Sequence, residues 1–323
     1  MRAIVVDSGK LTLETVPDPV AGPGEVVIDV TAAGVNRADL LQRRGLYPPP
    51  PGAPETLGLE VSGRIAALGE NVDEWSVGDE VCALLAGGGY AEKVAVPSPQ
   101  VLPRPASVDL LEAGGLPEAS CTVYSNIIMI GNLQDGDTLL VHGGSSGIGT
   151  NAIQVGRAVG ARVATTARTA EKLSRCSELG AEILINYTEQ NFADVMAEHG
   201  GADVILDIIG AKYLEPNVAS LATDGRLMII GMQGGTTSEL SIATLLGKRG
   251  AIFGTTLRSR PIEGPDGKAR IVEGTREFTW PLIDDGEVLP VIDSVFPLAD
   301  ADAAQARLDS GDAIGKVLLR VAD

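Results

Sequence analysis

The chain has 323 residues, more than the roughly 250–300 that one hydrophobic core usually supports, so two domains are expected. A composition of 44% hydrophobic and 21% charged residues excludes a disordered or fibrous chain. Against 25 Lys and Arg stand 43 Asp and Glu, and the net charge of -18 opposes sequence-independent attraction to nucleic acid or an anionic membrane.

Taken in chain order, Met1 to Gly9 carries one basic residue and no apolar stretch of the signal-peptide kind. Nor does any apolar run reach the roughly 20 residues of a membrane span, so the expected location is the cytoplasm. The runs Glu25 to Ala33, Leu57 to Leu68 and Asp79 to Leu85, broken by Gly and Pro, read as strands. Asn36 to Arg44 reads as a helix between them, and the proline run Pro48 to Pro51 that follows is expected in a surface loop. Cys82, Cys121 and Cys176 are widely spaced and form no C-x-x-C pair, which predicts reduced thiols and neither zinc nor a redox dithiol.

From Asp137 apolar strands alternate with amphipathic segments, the pattern of βαβ units and a doubly wound parallel sheet. The predicted strands are Thr138 to His142, Arg162 to Thr166, Glu182 to Asn186, Asp203 to Asp207, Arg226 to Gly231 and Gly250 to Gly254. Asn151 to Val159 and Ala170 to Leu179 read as helices, with Gly160 and Gly180 as C-caps. After this, Arg258 to Arg270 reads as a loop, and the tail resumes as a helix and strands whose last run, Val317 to Val321, is expected to join the N-terminal sheet. The predicted organisation is α/β: a β-rich domain formed by residues 1–121 and 258–323, interrupted by a doubly wound domain at 122–257.

The sharpest motif is the strand ending in His142 followed by Gly143-Gly144-Ser145-Ser146-Gly147-Ile148-Gly149. Glycines there permit a tight turn and close approach of the backbone to a pyrophosphate, whose charge meets the amides and positive end of the following helix. The spacing is Gly144-x-x-Gly147-x-Gly149, not G-x-G-x-x-G, so the strand–turn–helix context carries the reading. NAD-binding folds usually place an acid about 20 residues on, at the end of the second strand. Here that strand runs into Thr165-Thr166-Ala167-Arg168, and a guanidinium suits the 2′-phosphate of NADPH. Lys172 offers a second cation, the alternative being an ordinary solvated helical lysine. Glu171 lies past the strand end and reads as a first-turn helix residue.

These features resemble the medium-chain dehydrogenase/reductases, and within them the zinc-free NADPH:quinone oxidoreductases that include zeta-crystallin. The resemblance runs over nearly the whole chain: Ala33 to Asp39, Leu57 to Gly63, Val77 to Val81, and the glycine loop continuing to Gln154. Asn36 to Leu40, Gln42-Arg43 and Tyr47 to Pro50 resemble the p53-inducible quinone oxidoreductases in particular. It implies a GroES-like domain carrying an inserted Rossmann domain, and a homodimer pairing through the edge strands at Gly250 to Gly254. Zinc alcohol dehydrogenases carry Cys where this chain has Asn36 and Gly-His-Glu where it has Gly58-Leu59-Glu60, so no metal is expected. Gly144 and Ser146 resemble short-chain reductases, but neither Tyr187 nor Tyr213 has the Lys four residues on that those enzymes use.

By resemblance, Tyr187 helps hold the 2′-phosphate end, with a half-buried strand-end tyrosine as the alternative. Gly231, Met232 and Gln233 match the turn beside the nicotinamide ribose, and Phe253, Thr255 and Leu257 the backbone that receives the carboxamide. Lys316 matches a terminal signature near the cofactor, against a solvated strand-edge lysine. A quinone is electrophilic and takes its protons from solvent, so the lack of an evident acid or metal is consistent with quinone reduction. Asn36 and Tyr47 are the expected catalytic and substrate groups, Thr122 a further substrate contact, and Asp39 a group that caps or orients the Asn36 helix. Cys121 reads as a small buried hydrophobe, and Tyr90 lines a cleft or closes a turn. The leading expectation is an NADPH:quinone oxidoreductase with a small-molecule quinone as partner, neither nucleic acid nor membrane. The rivals are an enoyl-thioester or enone reductase and a non-catalytic NADPH-binding structural or sensor protein.

Overall fold

The protein is described here by a computed structural model that covers residues 1–322. Two compact units are formed, one by Met1–Cys121, Leu257–Gly286 and the residues from Pro290 on, the other by Thr122–Thr256 with Glu287–Leu289.

The first unit is β-rich. Among the described residues its main sheet has seven strands, and the long central strand Glu25–Val35 pairs antiparallel with Glu60–Leu68, Lys93–Pro97 and Lys316–Arg320. Val26, Ile28, Val30, Ala33 and Val35 of that strand are buried with Val61, Ile65, Val81, Val317 and Leu319, the apolar cluster that the short runs in the sequence foreshadow. The C-terminal strand is thus internal: Lys316–Arg320 lies between Glu25–Val35 and Ile292–Pro297. The helix Lys268–Asp284 also belongs to this unit, and its Trp280 donates from Nε1 to the carbonyl of Pro103 at 2.7 Å.

In the second unit all strand pairs are parallel. The order, among the described residues, is Ile183–Asn186, Arg162–Ala167, Thr138–His142, Ala202–Asp207, Leu221–Ile229, Ala251–Gly254. The first strand in sequence is central and the order reverses beside it, the arrangement that puts the ligand crevice at the carboxyl ends of these strands. Gly160 follows the helix Gly147–Val159 at φ 91° and is its left-handed cap. Strand limits differ from those expected by a few residues, most at the fifth strand, Leu221–Ile229, which begins early because Ala202 already pairs with Leu221.

Leu140 is fully buried between Ala164 and Ile205 of the neighbouring strands. Leu140→Ala leaves a cavity there and is expected to destabilise this unit by about 3 kcal/mol, read as a lower urea midpoint with an unchanged slope.

Candidate functional site

The strand Thr138–His142 delivers the chain to Gly143, whose φ of 72° makes the turn. Gly143 N–H donates to Thr166 Oγ1 at 3.2 Å and Gly144 N–H to the Thr166 carbonyl at 3.1 Å, so the loop is tied to the end of the next strand. A Cβ on Gly144 would run into Thr165 Oγ1, and one on Gly149 into the carbonyl of Gly143. Ser146 is the N-cap: its hydroxyl accepts from Gly149 N–H at 3.0 Å. The 13-residue helix Gly147–Val159 then presents first-turn amides without intrahelical partners and the positive end of its dipole, while Ser145 is buried in the turn. These residues fit a dinucleotide pyrophosphate: backbone donors and a helix dipole are both present at the loop.

Thr166 also belongs to the strand that leads to Arg168. Its strand, Arg162–Ala167, pairs with Ile183–Asn186 so that Ala167 faces Asn186, and Tyr187 N–H donates to the Ala167 carbonyl at 3.3 Å. Arg168 and Tyr187 therefore leave adjacent strands side by side, Arg168 exposed and Tyr187 43% exposed. Thr169 caps the helix Ala170–Glu178 by accepting from Lys172 N–H. The solvated alternative for Lys172 is corrected: this side of the helix packs on the sheet, and the residue is 8% exposed.

The Gly231 turn, with Met232 exposed, lies against the turn after Ala202–Asp207: Gly234 N–H donates to the Ile209 carbonyl at 2.7 Å. Phe253 pairs with Met228, and Thr255 N–H reaches the Ile229 carbonyl at 3.1 Å. Thr255 Oγ1 donates to Asn126 Oδ1 at 2.6 Å, and Asn126 Nδ2 donates to the carbonyl of buried Thr122 at 2.8 Å. Asn126 sits in a π-helical turn, Tyr124–Ile130, which no hydropathy period signals; sequence reasoning missed it. Of the residues expected at one cofactor, Leu257, Lys316, Asn36 and Tyr47 lie in the first unit and the others in the second.

In the first unit a buried charge cluster surrounds the helix Arg37–Arg43. Asn36 N–H donates to Asp39 Oδ2 at 2.8 Å, which fixes Asp39 as the orienting group of that helix. Asp39 also accepts from Tyr90 Oη at 3.0 Å and from Gly58 N–H at 3.1 Å, and burial pushes its carboxyl up to about 6. Glu60, fully buried, accepts from Asn36 Nδ2 at 2.9 Å, from Glu118 N–H at 2.9 Å and from Lys316 Nζ. Lys316 Nζ donates also to Asn36 Oδ1 at 2.7 Å. The solvated strand-edge alternative for Lys316 is thereby corrected: the strand is internal, the residue is 7% exposed, and its charge compensates Glu60.

Tyr47 is half-buried, and burial, with the Glu118 charge as a second cause, pushes its phenol up from 10.0. The Arg258 guanidinium lies 5.5 Å from the centre of its ring, within cation–π range. Glu118, pushed up to about 8 chiefly by burial and secondly by Glu60, completes the group. Arg258 and Glu118 carry no motif in the sequence, so only the fold reveals them. Cys121 is buried, its thiol pushed up to about 12 mainly by burial, as its hydrophobic reading requires. Tyr90 is fully buried.

The family described as zinc-binding dehydrogenase matches residues 147–267, and that described as alcohol dehydrogenase GroES-like domain matches residues 22–106. The quinone oxidoreductase of Lama guanicoe is 32% identical over 99% of this chain and 97% of its own length. The human synaptic vesicle membrane protein VAT-1 homolog is 29% identical over 97% of this chain and 83% of its own. Among solved structures, the quinone oxidoreductase from Thermus thermophilus, also determined in complex with NADPH, is 33% identical with a TM-score of 0.84, covering 99% of this chain and 100% of that one. The chain belongs to the medium-chain dehydrogenase/reductases, with a GroES-like and a Rossmann-type unit, and is an oxidoreductase. The family name raises the question of zinc, and the residues do not fit it. Asn36 and Leu59 supply neither sulfur nor imidazole, and the Glu60 carboxylate is already held by an ammonium and an amide.

Glu118 binds its proton more tightly in the folded chain than in the unfolded one, where its value is near 4.5. Its effect on stability is absent below pH 4.5 and grows as an increasing penalty up to about 8, because the unfolded chain ionises first. Glu118→Gln is expected to flatten the fall in urea midpoint between pH 5 and about 8, measured beside the wild type.

Proposed function

We propose that the protein is a zinc-independent NADPH:quinone oxidoreductase. The observation that supports this best is the glycine loop joined through Thr166 to a strand followed directly by exposed Arg168, where an acidic residue would select NAD. Bound NADPH supplies the hydride. In this reading the amides around Gly144, Ser145, Ser146, Gly147, Ile148 and Gly149 hold the pyrophosphate, and Arg168, Lys172 and Tyr187 take the 2′-phosphate. Gly231, Met232 and Gln233 flank the nicotinamide ribose, and Phe253, Thr255 and Leu257 receive the carboxamide through their backbone. In the GroES-like unit, Lys316 steadies Asn36, and Asn36 and Tyr47 meet the acceptor, with Thr122 as a further contact; the pKa of Tyr47 keeps its phenol protonated. The quinone oxidoreductases among the relatives, one of them crystallised with NADPH, support the same reading.

NADPH oxidation is followed with 1,4-benzoquinone, 9,10-phenanthrenequinone and crotonyl-CoA, with NADH as control. Quinone turnover with NADPH preferred is expected. Arg168→Ala should raise the KM for NADPH about tenfold and leave that for NADH unchanged, while Tyr47→Phe should lower kcat/KM for quinone about tenfold. Reduction of crotonyl-CoA alone would favour a double-bond reductase, and tight NADPH binding without any turnover would favour a binding protein.

The same reading includes a homodimer. The strand Ala251–Gly254 is the edge of its sheet, with Phe253 37% exposed. Sedimentation of the 33.3 kDa chain at twice its mass is the expected result, and a charge in place of Phe253 should shift it toward monomer.

A further inference from the structure

Arg258 is 3% exposed, yet a guanidinium stays charged at any physiological pH. Its Nε donates to the Ala86 carbonyl at 2.7 Å, and Nη1 lies 3.4 Å from the Tyr47 carbonyl. The remaining nitrogen, Nη2, is buried and has no hydrogen-bond partner among the described residues. The acidic groups Asp39 and Glu118 lie near the guanidinium, and buried Lys268 is a second cation close by. A buried charged donor left without an acceptor is costly, and an acceptor from outside the chain, such as a ligand oxygen, removes that cost. The Tyr47 ring beside it offers a face on which a flat acceptor can lie.

We propose that Arg258 is a catalytic residue whose Nη2 holds a carbonyl oxygen of the acceptor and donates to it as that oxygen becomes negative. The proposal deepens the quinone-reductase reading and rests on it for the identity of the acceptor. The hydride that bound NADPH would supply, leaving NADP+, forms one new bond to hydrogen on the quinone as a carbonyl electron pair withdraws onto oxygen beside Arg258 Nη2. The resulting monoanion takes one proton from water and leaves as hydroquinone. A preorganised buried donor aimed at that oxygen stabilises the charge where it develops. An enolate oxygen formed from an enone or enoyl thioester makes the same demand, so Arg258 serves either acceptor.

Two readouts test it on the intact protein, one independent of turnover. The first is kcat/KM for 1,4-benzoquinone, expected to fall about 100-fold in Arg258→Met, mainly through kcat, with NADPH affinity measured by fluorescence unchanged. The second is 4-nitrophenol bound to the NADP+-loaded protein, its absorbance reporting how much is phenolate. Wild type should bind it more ionised than free dye at the same pH, and Arg258→Met should abolish that shift. A folded Arg258→Met with wild-type kcat/KM or a wild-type dye shift overturns the proposal. If Arg258→Met does not fold by circular dichroism, neutral Arg258→Gln decides on the same two measurements, expected to lose at least tenfold in kcat/KM together with the dye shift. Should the wild type reduce no quinone, the functional reading fails, while the dye still decides on Arg258: an ionisation shift in wild type lost in the variant supports it, and no shift in wild type overturns it.

Discussion

A fully buried carboxylate, that of Glu60, organises the GroES-like unit. An uncompensated charge there would carry a penalty of several kcal/mol, so its neighbours are constrained to provide donors. They come from distant segments: the Asn36 amide before the helix Arg37–Arg43, the Glu118 N–H in the helix Pro117–Val123, and the Lys316 ammonium on the strand Lys316–Arg320. Gly34 is glycine for the same reason, since a Cβ at that position would occupy the space of the Glu60 side chain. One ionic centre therefore sets the course of the chain where Asn36 and the last strand meet. The Lys316 ammonium supplies the positive charge that compensates it.

The Rossmann-type unit solves a comparable problem with backbone groups. Asp207 ends its strand by accepting from the N–H groups of Ile209 and Gly210, and His142 ends the central strand on Asn217 at 2.6 Å with Phe192 and Tyr213 against its ring. Burial pushes His142 down to about 4, so it packs as a neutral ring. The glycine loop, for its part, has amides and a helix dipole to offer a phosphate. The two units divide the chemistry accordingly: one is built around buried charges, the other around oriented peptide groups.

Most of the fold is legible in the sequence because it follows from periodicity. Alternating apolar strands and amphipathic segments mark the parallel sheet, and its order puts Thr138–His142 in the middle, where the glycine motif requires it. Short apolar runs separated by Gly and Pro mark the largely antiparallel sheet, and the run expected at Val317 to Val321 supplies its strand Lys316–Arg320. Glycine roles are readable too, because a missing Cβ is a local fact: Gly143, Gly144 and Gly149 are where a turn and close packing demand them. Lysines are not. Lys172 and Lys316 are indistinguishable from surface lysines until the partners of their helix and strand are known, since burial depends on what packs against an element.

Composition, spacing and pattern by themselves determined a two-unit α/β chain, the glycine turn that opens a helix and the cation just past the second strand, all properties of contiguous residues. Only the tertiary structure decided that Lys316 neutralises Glu60, that Asp39 bridges Asn36, Gly58 and Tyr90, that Asn126 meets Thr255, and that Arg258 lies beside Tyr47. These partners are separated by up to 256 residues in the Lys316–Glu60 pair, and local sequence carries no record of which distant group will compensate a buried charge. That choice is made by the packing that removes water from both at once.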